Sequence, residues 1–166
     1  MLSQATIDSF QNDGIAFIPG LFKAHLDSLR MGVQKNIEEP GPYAAENLNE
    51  GEIGRFFDDY CNWQRINEFR NAAFDKNIAK AAALLMQSTT VQLFHDHVLV
   101  KAAGTLKPTP WHTDGPYYFV KGKKTLSFWV PLDPVKKATL RMVTGSHKWP
   151  KPVLPTKWLS LSLIHI

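Results

Sequence analysis

Apolar positions along the first third of the chain recur with a helical period, and those of the later part with a strand period. Ser3 is placed to cap a helix over residues 4–12, with Gly14 at its end. Residues 15–18 read as a short strand stopped by Pro19-Gly20. Between Phe22 and Ile37 the residues Leu26, Leu29, Val33 and Ile37 fall three and four apart, which predicts a helix with one buried face. Glu39-Pro40-Gly41-Pro42 ends it, and residues 43–60, polar and glycine-containing, read as a long loop. Two further helical pieces are expected around 63–69 and 75–86.

At Thr89 the texture changes. Residues 89–101 are rich in β-branched and aromatic side chains and predict one long strand, with Val91, Leu93, His95, His97 and Leu99 on one face and Phe94, Val98 and Val100 on the other. Further strand signals lie at 111–114, 117–120, 125–130 and 140–143, separated by Pro, Gly and Lys turns. Helices first and antiparallel strands afterwards predict a mainly β fold with N-terminal helices, a sandwich or jelly roll, in a single domain over residues 1–160.

Composition narrows the function classes. The 166 residues are 44% hydrophobic and 20% charged, ordinary for a globular chain. No apolar run approaches the ~20 residues that cross a bilayer, and the first residues lack the layout of a signal peptide, so the expected location is the cytoplasm, with no membrane partner. The single cysteine, Cys61, excludes a disulfide framework and any zinc site of paired cysteines; a metal would have to be held by His and carboxylate. The net charge of +4 divides unevenly: residues 1–100 carry 8 basic against 13 acidic side chains, and residues 101–166 carry 11 against 2. Lys121, Lys123, Lys124, Lys136 and Lys137 sit at expected turns, and no nucleic-acid-binding signature accompanies them, so solvated turn lysines account for the excess.

The sharpest chemical feature is His112-Thr113-Asp114. Residues two apart on a strand project to one side, so the imidazole and the carboxylate can meet one metal ion. With a distant histidine they would form the facial set of non-haem Fe(II) oxygenases, which leaves positions open for cosubstrate and O2. Six histidines and nine aspartates in 166 residues give about 0.3 such pairs by chance, so the motif alone leaves a hydrogen-bonded turn pair as a standing alternative.

Several spaced blocks support the motif. The run 91–101 (Val-Gln-Leu-Phe-His-Asp-His-Val-Leu-Val-Lys), then 109–118 (Thr-Pro-Trp-His-Thr-Asp-Gly-Pro-Tyr-Tyr), 126–133 (Leu-Ser-Phe-Trp-Val-Pro-Leu-Asp) and Gly145-Ser146-His147-Lys148, resembles the phytanoyl-CoA dioxygenase family. Phe10, Asp13-Gly14 and Ile18-Pro19-Gly20-Leu21-Phe22 resemble its opening, so the likeness runs from about residue 5 to 158. It implies a cupin-like jelly roll, the double-stranded β-helix, and a reaction in which Fe(II), 2-oxoglutarate and O2 hydroxylate a small-molecule or acyl substrate. It places His112 and Asp114 on two iron ligands. It assigns Trp129, Thr113, His97 and Arg55 to cosubstrate binding. Thr113 stands where relatives often carry glutamine. Core packing for Trp129, a hydrogen bond to a neighbour for His97 and a solvated loop position for Arg55 stay open beside those roles. A second metal site at His95 and His97 is not expected, because no carboxylate is evident on their face.

The likeness also implies a third iron-ligating histidine and a 2-oxoglutarate-clamping arginine beyond the motif. The last arginine is Arg141, and after His147 the only histidine is His165. The expectation is therefore a jelly roll incomplete at its C-terminal end, a fragment with weak Fe(II) binding and no useful turnover, and a non-native tail over residues 161–166. The alternative is a non-catalytic, cupin-like binding module. The substrate, the hydroxylated position and the oligomeric state are not written in the sequence.

Overall fold

The computed structural model describes residues 2–48, 50–105, 108–135 and 139–154, together with the backbone of 157–158 and 161–162. The expected lysine turn at 136–137 and His165 lie outside the described residues, as does most of the expected tail 161–166.

Helix α1 (Gln4–Asp13) begins where expected, with the Ser3 hydroxyl accepting the Thr6 N–H at 3.1 Å, and ends at Gly14 in the left-handed conformation with φ 80°. Residues 15–18 do not pair as a strand. After a 3-10 turn at Lys23–His25, α2 (Leu26–Glu38) carries the apolar stripe inward: Leu29, Val33 and Ile37 pack on the buried Phe57, Ile66, Phe69 and Val98. Gly32 lets α3 (Asn67–Ala73) come close, because a Cβ there would stand 2.6 Å from the Phe69 ring. Asp75 caps α4 (Lys76–Leu85) by accepting the N–H groups of Asn77 and Ile78 at 2.7 and 3.2 Å.

The expected loop 43–60 contains a strand buried over four of its five residues. Strands β1 (Ala45–Glu46), β2 (Phe56–Tyr60) and β3 (His97–Lys101) form an antiparallel sheet in that order, with Phe56 opposite Lys101 and Tyr60 opposite His97. The sequence Phe-Phe-Asp-Asp-Tyr shows no alternation because both faces of β2 are covered and its two aspartates are satisfied inside. The fully buried Asp59 carboxylate accepts the Asn36 side-chain amide and the Gly41 N–H, each at 2.7 Å, and the Tyr60 N–H at 2.8 Å.

The long strand expected over 89–101 is confined to β3. Cys61 turns the chain through φ 61°, and Asp96 accepts the N–H groups of Asn62 and Trp63 at 3.1 and 2.9 Å, which ends the ladder. Within β3 the expected faces hold: Val98 is buried while His97 and Leu99 face outward.

The strands expected at 111–114, 117–120, 125–130 and 140–143 are not laid out as ladders, and the double-stranded β-helix is not seen among the described residues. More of those residues lie in helices than in strands. Prolines 110, 116, 131 and 134 remove ladder donors, and short 3-10 turns stand at Gly115–Tyr117 and Ser146–Lys148. Burial still alternates through Leu126, Phe128 and Val130, as the strand pattern requires. A two-residue pair, β4 (Lys157–Trp158) with β5 (Leu161–Ser162), is the other sheet described.

The later part is moored to the helices by side chains. Arg30 donates to the Leu132 carbonyl at 2.9 Å, and Phe22 meets Phe128 edge-on at 5.5 Å. The 145–148 turn docks on the carbonyl end of α1: Gly145 N–H donates to Asp13 O at 2.8 Å, His147 Nε2 to Gln11 O at 3.2 Å, and Lys148 Nζ to Asn12 O at 3.0 Å.

Candidate metal centre

His112 follows Pro110 and Trp111, and Asp114 stands at the start of the 115–117 turn, where its carbonyl accepts the Tyr117 N–H at 2.9 Å. The His112 Nδ1 is 2.8 Å from the Pro110 carbonyl oxygen. A carbonyl can only accept, so Nδ1 carries the proton and the neutral ring presents the Nε2 lone pair. That nitrogen lies 3.2 Å from Asp114 Oδ1. Two acceptors facing each other at this distance need a proton or a cation between them.

The electrostatics record the same demand. Asp114 raises the pKa of His112 above its ordinary 6.5; burial opposes the rise and the Pro110 carbonyl adds to it. His112 in turn holds the Asp114 carboxyl below its usual range against the burial cost, helped by the Tyr118 hydroxyl and the charge of His97. The Tyr118 hydroxyl reaches Asp114 Oδ2 at 3.5 Å, and the Tyr117 ring stands edge-on to His112 at 5.8 Å.

His97 borders this pair from β3. Its Nε2 lies 3.4 Å from Asp58 Oδ2, and its ring stacks on Tyr60 at 4.0 Å with 21° between the planes. Tyr60 also meets His95 edge-on at 5.9 Å, and His95 meets Tyr118 at 5.5 Å, so the rings run from β2 toward the motif. Asp58 corrects the reading that no carboxylate lies on the His95/His97 face. Burial raises the Asp58 pKa, and hydrogen bonding from His97, Asn47 and Tyr60 outweighs it, leaving the group below its ordinary value. Asp58 and Tyr60 were hidden because β2 reads as loop; their spacing of two, which puts them on one face of a strand, was the available signal.

The other expected cosubstrate residues are placed elsewhere. The Thr113 hydroxyl bonds to the main chain of Val153. Arg55 Nε lies 3.2 Å from Glu46 Oε2 and the guanidinium covers the Phe57 ring, beyond the end of β2 opposite to Tyr60 and His97. Trp129 is half exposed. Among the described residues no three His, Cys, Asp or Glu side chains are grouped closely enough to hold a metal ion.

A closely facing His-x-Asp pair beside a strand histidine makes a candidate centre of the His/carboxylate type. The phytanoyl-CoA dioxygenase (PhyH) family model matches residues 10–162, and the chain belongs to that family, which is one of dioxygenases. No curated protein matches the chain, and no solved structure does. The family implies a jelly roll, Fe(II) and 2-oxoglutarate. Against that metal, the facing Nε2 and Oδ1 of His112 and Asp114 supply two donors of the right chemistry, with the ring tautomer already set by Pro110. No helix among the described residues is long and apolar enough to cross a membrane.

Proposed function

We propose that the protein is a non-haem Fe(II)/2-oxoglutarate-dependent dioxygenase domain acting on a small-molecule or acyl substrate, with His112 and Asp114 as iron ligands. The observation that carries this reading is the 3.2 Å approach of His112 Nε2 to Asp114 Oδ1, with the opposite ring nitrogen committed to Pro110. When bound, the iron would supply the coupling of 2-oxoglutarate decarboxylation by O2, giving succinate and CO2, to hydroxylation of a substrate C–H bond.

The chain's own residues prepare that chemistry. Pro110 keeps the Nε2 lone pair of His112 available. Tyr118 and His97 help keep Asp114 ionised at neutral pH. His97, fixed between Asp58 and Tyr60, is the residue assigned to 2-oxoglutarate that also acts on Asp114; Trp129 and Arg55 are carried as further cosubstrate residues on the family likeness alone. The third ligand and the clamping arginine have no counterpart among the described residues, so two-donor, weak metal binding is expected.

The test is calorimetric titration of 2-oxoglutarate with and without Mn(II). Binding that requires the metal and disappears in His112→Ala supports the reading. Uptake of 2-oxoglutarate that is indifferent to both overturns it and favours a binding module.

A further inference from the structure

Thr113 stands between the two proposed ligands, and its side chain is turned away from them. Its N–H donates to the Val153 carbonyl at 2.9 Å. Its hydroxyl reaches that same carbonyl at 3.3 Å and accepts the Val153 N–H at 3.2 Å. One residue thus engages both polar groups of the Val153 peptide positions. In a regular antiparallel ladder a main-chain carbonyl would take the Val153 N–H; here the threonine hydroxyl takes it, which accounts for a bonded contact without a strand.

The partner is itself held. Residues 145–148, just upstream of Val153, are docked on the carbonyl end of α1 by Gly145, His147 and Lys148. The His112–Thr113–Asp114 segment is therefore tied, through a short stretch of chain, to the N-terminal helix. On its other side the Pro110 carbonyl, the Tyr117 turn and the Tyr118 hydroxyl also meet the motif.

We infer that Thr113 is a positioning residue: by clamping Val153 with its N–H and hydroxyl, it sets the backbone from which His112 and Asp114 face one another, and it does not touch 2-oxoglutarate. The metal side of this inference rests on the proposed function, whereas the geometric side does not. Outer partners of this kind typically change metal affinity by about 10- to 100-fold.

Two readouts on Thr113→Val, with Thr113→Ser as the conservative rescue, separate those sides. The first uses no metal: the ring N–H of His112, bonded to Pro110, gives a proton resonance protected from solvent exchange. Thr113→Val is expected to broaden it, Thr113→Ser to restore it, and His25→Gln, a control that removes the remote 3.1 Å contact of His25 with Asp75 at the start of α4, to leave it sharp. The second is Co(II) affinity by calorimetry, expected to fall at least tenfold in Thr113→Val and to recover in Thr113→Ser. A sharp resonance and unchanged affinity in Thr113→Val overturn the positioning role. Wild-type protein that shows the resonance pattern but takes up no Co(II) upholds the positioning role and overturns the metal reading. Weakened 2-oxoglutarate binding at unchanged Co(II) affinity would instead make Thr113 a cosubstrate contact and overturn the inference.

Discussion

His112 Nε2 lies 3.2 Å from Asp114 Oδ1, with the other ring nitrogen already bonded to a backbone carbonyl. Without a metal ion, a proton on His112 fills the gap, which is why the imidazole pKa is raised and the carboxyl pKa lowered. The pair is two residues apart, yet its geometry depends on distant chain: Val153 on one side and the rings of β2 and β3 on the other.

His97 is the first place to test that wider dependence. His97→Ala removes a ring that stacks on Tyr60 and supports the ionised Asp114. Loss of one such polar contact is worth about 1 kcal/mol, or roughly fivefold in affinity. Calorimetry of 2-oxoglutarate in the presence of Mn(II) is expected to show that weakening, with Asp58→Ala behaving alike because Asp58 holds the His97 ring. Wild-type affinity in both variants would remove His97 from the site.

Asp59 sets the acid limit of the fold. Burial raises its pKa, but hydrogen bonds from Asn36, Gly41, Asn62 and Tyr60 more than offset this and hold the carboxyl below its ordinary 3.8. A depressed carboxyl contributes stability that is present above its ordinary pKa and is lost as pH falls through the lowered folded value. Denaturant unfolding is expected to show a steep loss below about pH 4. Asp59→Asn should flatten that limb and cost about 1.5–3 kcal/mol at neutral pH, the worth of hydrogen bonds to a charged group. An unchanged acid limb in the variant would exclude Asp59 as its source.

Gly14 and His147 are coupled through one narrow gap. A Cβ on Gly14 would lie 2.3 Å from His147 Nδ1, and the residue's φ of 80° is left-handed. Gly14→Ala is expected to cost about 1–2 kcal/mol from the backbone alone, plus the clash. In a double-mutant cycle, His147→Ala should relieve the clash and leave the backbone cost, giving a coupling of at least ~0.5 kcal/mol. Strict additivity would show that the 145–148 turn does not rest on α1 in solution.

What the sequence made legible was local. Ser3, Gly14 and the Leu29–Val33–Ile37 stripe announce α1 and α2 because capping and helical period act within a few residues. The His-x-Asp pair was legible for the same reason, and the spaced blocks around it point to the family. Strand β2 was not legible, since Asp58 and Asp59 read as solvent-facing until Asn36, Gly41 and His97, far along the chain, satisfy them. The strands expected after residue 110 failed differently: burial alternates as the pattern says through 125–130 alone, and prolines and the Thr113 hydroxyl divert the hydrogen bonds that a ladder needs. Asp58 and Tyr60 were lost with β2, and with them the support of His97.

The most direct test of the metal centre is a Co(II) titration followed by paramagnetic broadening of side-chain resonances. The expected result is that His112 and Asp114 signals broaden first and together, ahead of those of His95, His97 and Asp58, and that Asp114→Ala abolishes the effect on His112. Broadening that begins at the His97–Asp58 pair, or that reaches His112 unchanged in Asp114→Ala, would contradict the assignment of the two ligands.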